Sequence, residues 1–180
     1  MPEVVIRRRA AGDEVGIARV HTLGWQQGHA GLLPVDWLAA RVVAPEVWTT
    51  RIAQPLPRSA LFVAEVDGEL VGYAVVGPAL REVADDDPDV AELYAIYVLA
   101  DHWGTGIGYA LHTAALEAAG DLGYRRAQLW VLPGSARTIA FYERQGWHDD
   151  GHEVEEDLGG IVALVRRFSR SLGREQAPAE

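Results

Sequence analysis

Hydrophobic and polar positions change period several times along the chain, and each change marks an element. Val4, Val5 and Ile6, followed by Arg7 to Arg9 and closed by Ala-Ala-Gly-Asp, form a β-branched run that predicts a first strand. Asp13 is of a type suited to a helix N-cap, and Val15, Ala18, Val20 and Leu23 behind it predict a helix. A second helical stretch follows Pro34 through Val35, Leu38 and Val42 to Val47 and Trp48, with Pro45 expected to break or kink it. Then the period shortens. Ala60 to Val66 and Glu69 to Val76 flank Asp67-Gly68, the signature of a tight β-hairpin.

Arg81 to Val90 holds five acids and one Pro and reads as a solvated loop. Glu92 to Val98 is almost wholly apolar and aromatic, which suits a strand buried on both faces. After Asp101 to Gly108, apolar residues at Leu111, Ala114, Ala115, Leu116 and Ala118 predict a helix that stops near Gly120 to Gly123. Ala127 to Leu132 predicts another strand. Ser135 is positioned to cap a short helix through Arg144, with Gly146 at its C′ position. Two late strands, around Trp147–Val154 and Ile161–Phe168, complete the order β-α-α-β-β-β-α-β-α-β-β. That order implies a single α/β (α+β) domain over residues 1–169, a mixed sheet flanked by helices, with a polar tail over 170–180.

Composition narrows the chemistry. The 180 residues include no Cys, and every one of the 16 basic residues is Arg. Without Cys there is no thiolate nucleophile and no Cys-ligated metal; without Lys there is no Walker A loop and no Schiff base. A net charge of −10 argues against nucleic acid or an anionic membrane as partner, since both need clustered positive charge. No apolar run approaches the ~20 residues that span a bilayer. The arginines of the N-terminus lack the apolar segment of a signal peptide, so a cytoplasmic location is expected. His148 and His152 flank Asp149 and Asp150, but their spacing on a strand favours surface decoration over metal ligation, and no metal is expected.

The segment Trp103-Gly104-Thr105-Gly106-Ile107-Gly108 lies between a buried strand and a helix start. Glycines there permit a sharp turn with uncovered amide hydrogens, and the helix N-terminus adds partial positive charge, so the pair suits a phosphate or pyrophosphate. A dinucleotide fingerprint fits badly, because Tyr109 stands where a third Gly would be needed. The segment resembles the acetyl-coenzyme A loop of the GCN5-related N-acetyltransferase family, Gln/Arg-x-x-Gly-x-Gly/Ala, with Trp103 in place of the usual Gln or Arg. Glu92 to Val98 resembles the family's splayed fourth strand. Ser135 to Trp147 resembles its Asn-x-x-Ala-x-x-Phe-Tyr-x-x-x-Gly-Phe signature, with Ser135 for Asn, Thr138 for Ala and Trp147 for Phe.

The resemblance implies a mostly antiparallel central sheet and acetyl-CoA as acyl donor. It implies cofactor contacts from the loop, Trp103 to Gly108, from Ser135, and from the backbone of Ile96, Tyr97 and Val98. Tyr142 resembles the family's general acid beside the sulfur, and Glu92 its base. Trp25 and His29, four apart on one helix face, fall where the family walls its acceptor site. The acids at Asp85–Asp89 and Glu153–Asp157 read first as a solvated face, and alternatively as a field that steers a cationic amine acceptor toward the site. With no Cys to carry an acetyl group, direct attack in a ternary complex is the mechanism implied. The alternative is a non-catalytic coenzyme A-binding regulatory module of the same fold. A homodimer is compatible with the late strands.

Overall fold

The computed structural model describes residues 3–80 and 87–173. Its elements are β1 (Val4–Arg8), α1 (Glu14–Gly28), α2 (Val35–Ala40), α3 (Pro45–Ala53), β2 (Ala60–Val66), β3 (Glu69–Pro78), β4 (Val90–Val98), α4 (Ile107–Asp121), β5 (Arg126–Val131), α5 (Ala136–Arg144), β6 (His148–Asp157) and β7 (Val162–Ser171). The seven strands form one sheet in the order β1-β2-β3-β4-β5-β7-β6. Every pairing is antiparallel except β4 with β5. Among the described residues no helix is long and apolar enough to cross a membrane.

Most boundaries follow the sequence pattern, and the departures have local causes. Pro45 does not kink a long helix; it opens a separate one at its first position, where its missing N–H costs nothing, so three helices precede β2. Asp13 stands at the N-cap of α1 but does not cap it. Its carboxylate instead takes both Arg7 guanidinium nitrogens at 2.8 Å and the Ala10 amide at 2.7 Å, tying β1 to the start of α1. Ser135 likewise occupies the N-cap of α5 without a side-chain bond to it. β7 runs on to Ser171, into the stretch expected to be tail, because Arg126 and Ala127 of β5 still pair with Ser171 and Arg170. Residues 174–180 and the first part of the acidic loop, 81–86, lie outside the described residues. Around Gly151 (φ 83°) the β6–β7 register shifts between Asp149 and Glu153, so His148 and His152 do not share a regular strand face as expected.

Helices cover both faces of the sheet, as two neighbouring residues of β3 make plain. The fully buried Tyr73 meets His21 of α1 and Trp48 of α3. Its neighbour Gly72 points the other way, where a Cβ would sit 3.0 Å from Leu111 of α4. Tyr97 and Val98 of β4 repeat this division, Tyr97 toward α1 and Val98 toward α4. Gly24 of α1 belongs to the same contact. A Cβ there would meet the Tyr97 Cβ at 2.8 Å, so only Gly lets α1 lie this close to β4.

One buried and one half-buried imidazole make the fold sensitive to acid. His112 of α4 accepts from the Trp147 indole at 2.9 Å, and His21 Nδ1 meets the Tyr73 hydroxyl at 2.5 Å. Burial lowers both to about 4, with arginine charges adding to the effect: Arg170 for His112, and Arg51 and Arg41 for His21. Both rings are therefore neutral when folded and gain a proton on unfolding below pH ~6.5. Their contribution is fully present above pH 6.5 and is lost as the pH falls toward 4, on the order of 2–3 kcal/mol per ring. The paired carboxylates Asp13 and Asp150, held below their ordinary value, titrate below this window. Urea melts should show a lower midpoint at pH 5 than at pH 7; an equal or higher midpoint at pH 5 would contradict this assignment.

Candidate active site

β4 and β5 run parallel for only three residues, Val90 to Glu92 beside Arg126 to Gln128, and then diverge. Beyond the fork, β5 turns to β7 while β4 keeps its pairing with β3. A bulge at Tyr94 adds to the bend, since Val75 pairs with Ala95 and Val76 with Leu93. The wedge between the strands is a cleft of about 800 Å³. Its walls come from α1, β4, the glycine turn, the end of β5, α5 and the inner side of β6 and β7.

Glu92 sits at the vertex. It is 6% exposed, unusual for a carboxylate, and it accepts from Gln128 Nε2 and from the Leu80 amide, each at 3.3 Å. Tyr142 reaches the same cleft from α5. Phe141 and Trp147 pack against its ring edge-on, and its hydroxyl has no hydrogen-bond partner among the described residues. Burial pushes this phenol well above its ordinary value, so it stays protonated at any physiological pH. Tyr97 is raised as well, chiefly by burial and secondarily by Tyr142.

The glycine turn closes one end. Gly104 (φ 78°) and Gly106 (φ 89°) take left-handed conformations that only glycine adopts at low cost, and Gly106 is the N-cap of α4. Uncovered amides at the start of a 15-residue helix form a site for anionic groups. Trp103 is anchored beside them, its indole donating to the Val98 carbonyl at 2.7 Å. The Leu99 amide donates the opposite way, to Val71 of β3 at 2.9 Å. Extended geometry therefore turns the Val98 N–H toward the cleft, on the same side as its carbonyl.

At the other end Trp25 of α1 and His29, its C-cap, stack at 4.4 Å between ring centroids. His29 is lowered by burial; its contact with the Trp25 carbonyl raises it in part, and the Arg41 charge lowers it again. Arg41 lies over Trp25 and Trp37, at 4.3 and 4.8 Å, and donates to the Leu158 carbonyl at 2.5 Å. Trp37 adds a bond to the Gly159 carbonyl at 3.1 Å. These contacts tie the end of α2 to the β6–β7 turn and hold this wall in place. Leu32, between α1 and α2, reaches the β5–α5 turn, where a Cβ on Gly134 would meet it at 2.8 Å.

The cleft thus gathers Glu92, Tyr142, Ile96, Tyr97, Val98, Trp103, Gly104, Gly106, Gly108, Ser135, Trp25 and His29. Two residues expected as cofactor contacts do not line it. The Thr105 hydroxyl turns back to the His102 carbonyl at 2.7 Å, and Ile107 is a core residue, 2% exposed. The sequence pattern missed Arg137, which α5 brings over Trp103, whereas Glu156 of β6, one of the acids at Glu153–Asp157, does line the cleft. Nothing local marks Arg137, because it reaches Trp103 only through long-range packing. Among the described residues no group of three His, Asp or Glu side chains gathers as for a metal ion.

The site is thus a fork between two parallel strands beside a glycine turn at a helix start, and comparison with known proteins identifies its class. Residues 20–147 match the model of the acetyltransferase (GNAT) family. The chain belongs to that family, and its class is that of the N-acetyltransferases. A Mycobacterium tuberculosis protein described as an uncharacterized N-acetyltransferase is 35% identical over 114 residues, 62% of this chain and 69% of that one. One from Methanocaldococcus jannaschii is 35% identical over 108 residues, 59% of this chain; the match spans 45% of that longer protein. The fold is that of yncA from Salmonella typhimurium, solved with its cofactor acetyl-CoA, at a TM-score of 0.73 and 21% identity over 98% of both chains.

Proposed function

We propose that the protein transfers the acetyl group of acetyl-CoA to a primary amine by direct attack within a ternary complex. The observation that carries this reading is the convergence of three features on one cleft: the glycine turn at the start of α4, the buried Glu92 at the strand fork, and the unpartnered Tyr142 hydroxyl. The residues fit the donor, since left-handed glycines and a helix start suit its phosphates while the unpaired edge of β4 offers backbone groups to its extended arm. When bound, acetyl-CoA supplies a thioester whose carbonyl accepts the amine.

Glu92 then takes, through a relay of waters along the cleft, the proton that the attacking amine must lose, because six residues of extended strand, roughly 16–20 Å, separate it from Val98. The Val98 N–H faces the cleft and donates to the carbonyl oxygen as charge builds there. Tyr142 donates its hydroxyl hydrogen toward the departing sulfur as the carbon–nitrogen bond forms and the carbon–sulfur bond breaks. Trp25 and His29 wall the acceptor, and the carboxylates Glu92 and Glu156 favour a cationic one. The same reading keeps the enzyme cytoplasmic, without a resident metal, and allows two copies to pair through an edge strand.

Initial rates measured against both substrates test this scheme. Intersecting double-reciprocal lines, with the protein mass unchanged after acetyl-CoA alone, are expected. Parallel lines with an acetylated protein would overturn direct transfer.

A further inference from the structure

The guanidinium carbon of Arg137 lies over the Trp103 indole, 3.2 Å from the ring centroid, so close that only a face-on guanidinium keeps its nitrogens off the ring. No hydrogen bond or ion pair engages it among the described residues, and partial burial lowers its pKa. Its partner is fixed, because the Trp103 ring is anchored to the Val98 carbonyl. Both side chains line the cleft together with Gly104, Gly106 and Gly108.

Stacking uses the face of a guanidinium, whereas its five N–H donors lie in the plane and point outward from the edge. The indole therefore orders Arg137 without consuming a donor, and removes much of the rotamer entropy that an ordinary arginine loses on binding. In a chain of net charge −10, a cation that no acid pairs with among the described residues stands beside an anion-suited turn. We propose that Arg137 binds a phosphate of the coenzyme A moiety through its free edge, with Trp103 as the platform that aims it. The charge that position 103 lacks is thus supplied from α5 instead. This inference rests on the acetyl-CoA reading above.

Calorimetry separates the two claims. Coenzyme A, 3′-dephospho-coenzyme A and S-acetylpantetheine are titrated into wild type, Arg137→Gln, Trp103→Ala and Trp103→Phe, each checked for an unchanged thermal melt. Arg137→Gln is expected to weaken coenzyme A by about 10- to 100-fold, the range of a charge-assisted hydrogen bond, and to flatten its salt dependence. S-acetylpantetheine, which has no phosphate, should bind both proteins alike. Trp103→Phe should keep most of the affinity that Trp103→Ala loses. A loss shared by the dephospho form assigns the contact to the pyrophosphate; a loss confined to coenzyme A assigns it to the 3′-phosphate. Arg137→Gln binding coenzyme A within twofold of wild type, or losing S-acetylpantetheine equally, would overturn the inference and leave the acetyl-CoA reading standing. Wild type that binds no coenzyme A would overturn both.

Discussion

Replacing Tyr142 with Phe is expected to lower kcat by about 10²- to 10⁴-fold while leaving acetyl-CoA affinity within about threefold of wild type. The substitution removes one oxygen and keeps the ring that packs on Phe141 and Trp147, so the fold should be preserved. The hydroxyl serves no partner among the described residues, and so its loss leaves no buried group of the protein unsatisfied. Burial holds the phenol above its ordinary value, whereas a free thiol titrates near ~8.5, so Tyr142 donates a hydrogen bond to the developing thiolate rather than yielding its proton early. It follows that Tyr142 introduces no loss of activity between pH 6 and about 9. Steady-state kinetics with calorimetry check both halves. A kcat within threefold of wild type would remove Tyr142 from the chemistry.

Glu92→Gln is the second large effect, expected to reduce kcat/KM by about 10- to 10³-fold at neutral pH. Gln keeps the shape and an oxygen that can still accept from Gln128 and Leu80, but it cannot take a proton. The pH profile distinguishes a base from a packing residue. An alkylamine with a pKa near ~10 becomes its own free base as the pH rises, so the defect should shrink toward pH 9.5–10. A defect of constant size from pH 7 to pH 10 would mean that Glu92 only supports the strand fork.

Both residues were candidates from the sequence, for different reasons, and the structure brings both to one cleft. Tyr142 was marked by its place in a helix signature next to Phe141, and Glu92 as the one acid opening an apolar strand. Backbone-driven features carried over equally well, since Asp67-Gly68 and the 103–108 turn encode left-handed conformations locally. Side-chain partners carried over poorly. Asp13 looked like a cap because capping is local, but Arg7 offers it two charge-assisted bonds that a helix amide cannot match. Thr105 and Ile107 were expected as cofactor contacts with their loop neighbours; the Thr105 hydroxyl turns back to His102 and the Ile107 side chain packs in the core, which leaves only their backbone for such a contact. The pairing of Arg137 with Trp103, and of Trp37 and Arg41 with the 158–159 turn, joins residues far apart in the chain. No period or motif signals such contacts, because only the sheet order brings those segments together.

The central claim is acetyl transfer to a primary amine, and thiol release measures it directly. Wild-type protein is given acetyl-CoA with a panel of primary amines, amino acids and peptides, and coenzyme A is followed with a thiol reagent, which the Cys-free protein cannot consume. The account predicts amine-dependent release that is matched mole for mole by acetylated acceptor, is fastest for acceptors carrying a second positive charge, and nearly disappears in Tyr142→Phe. Tight binding of acetyl-CoA with no amine-dependent release from any member of the panel, and no difference between wild type and Tyr142→Phe, would contradict it.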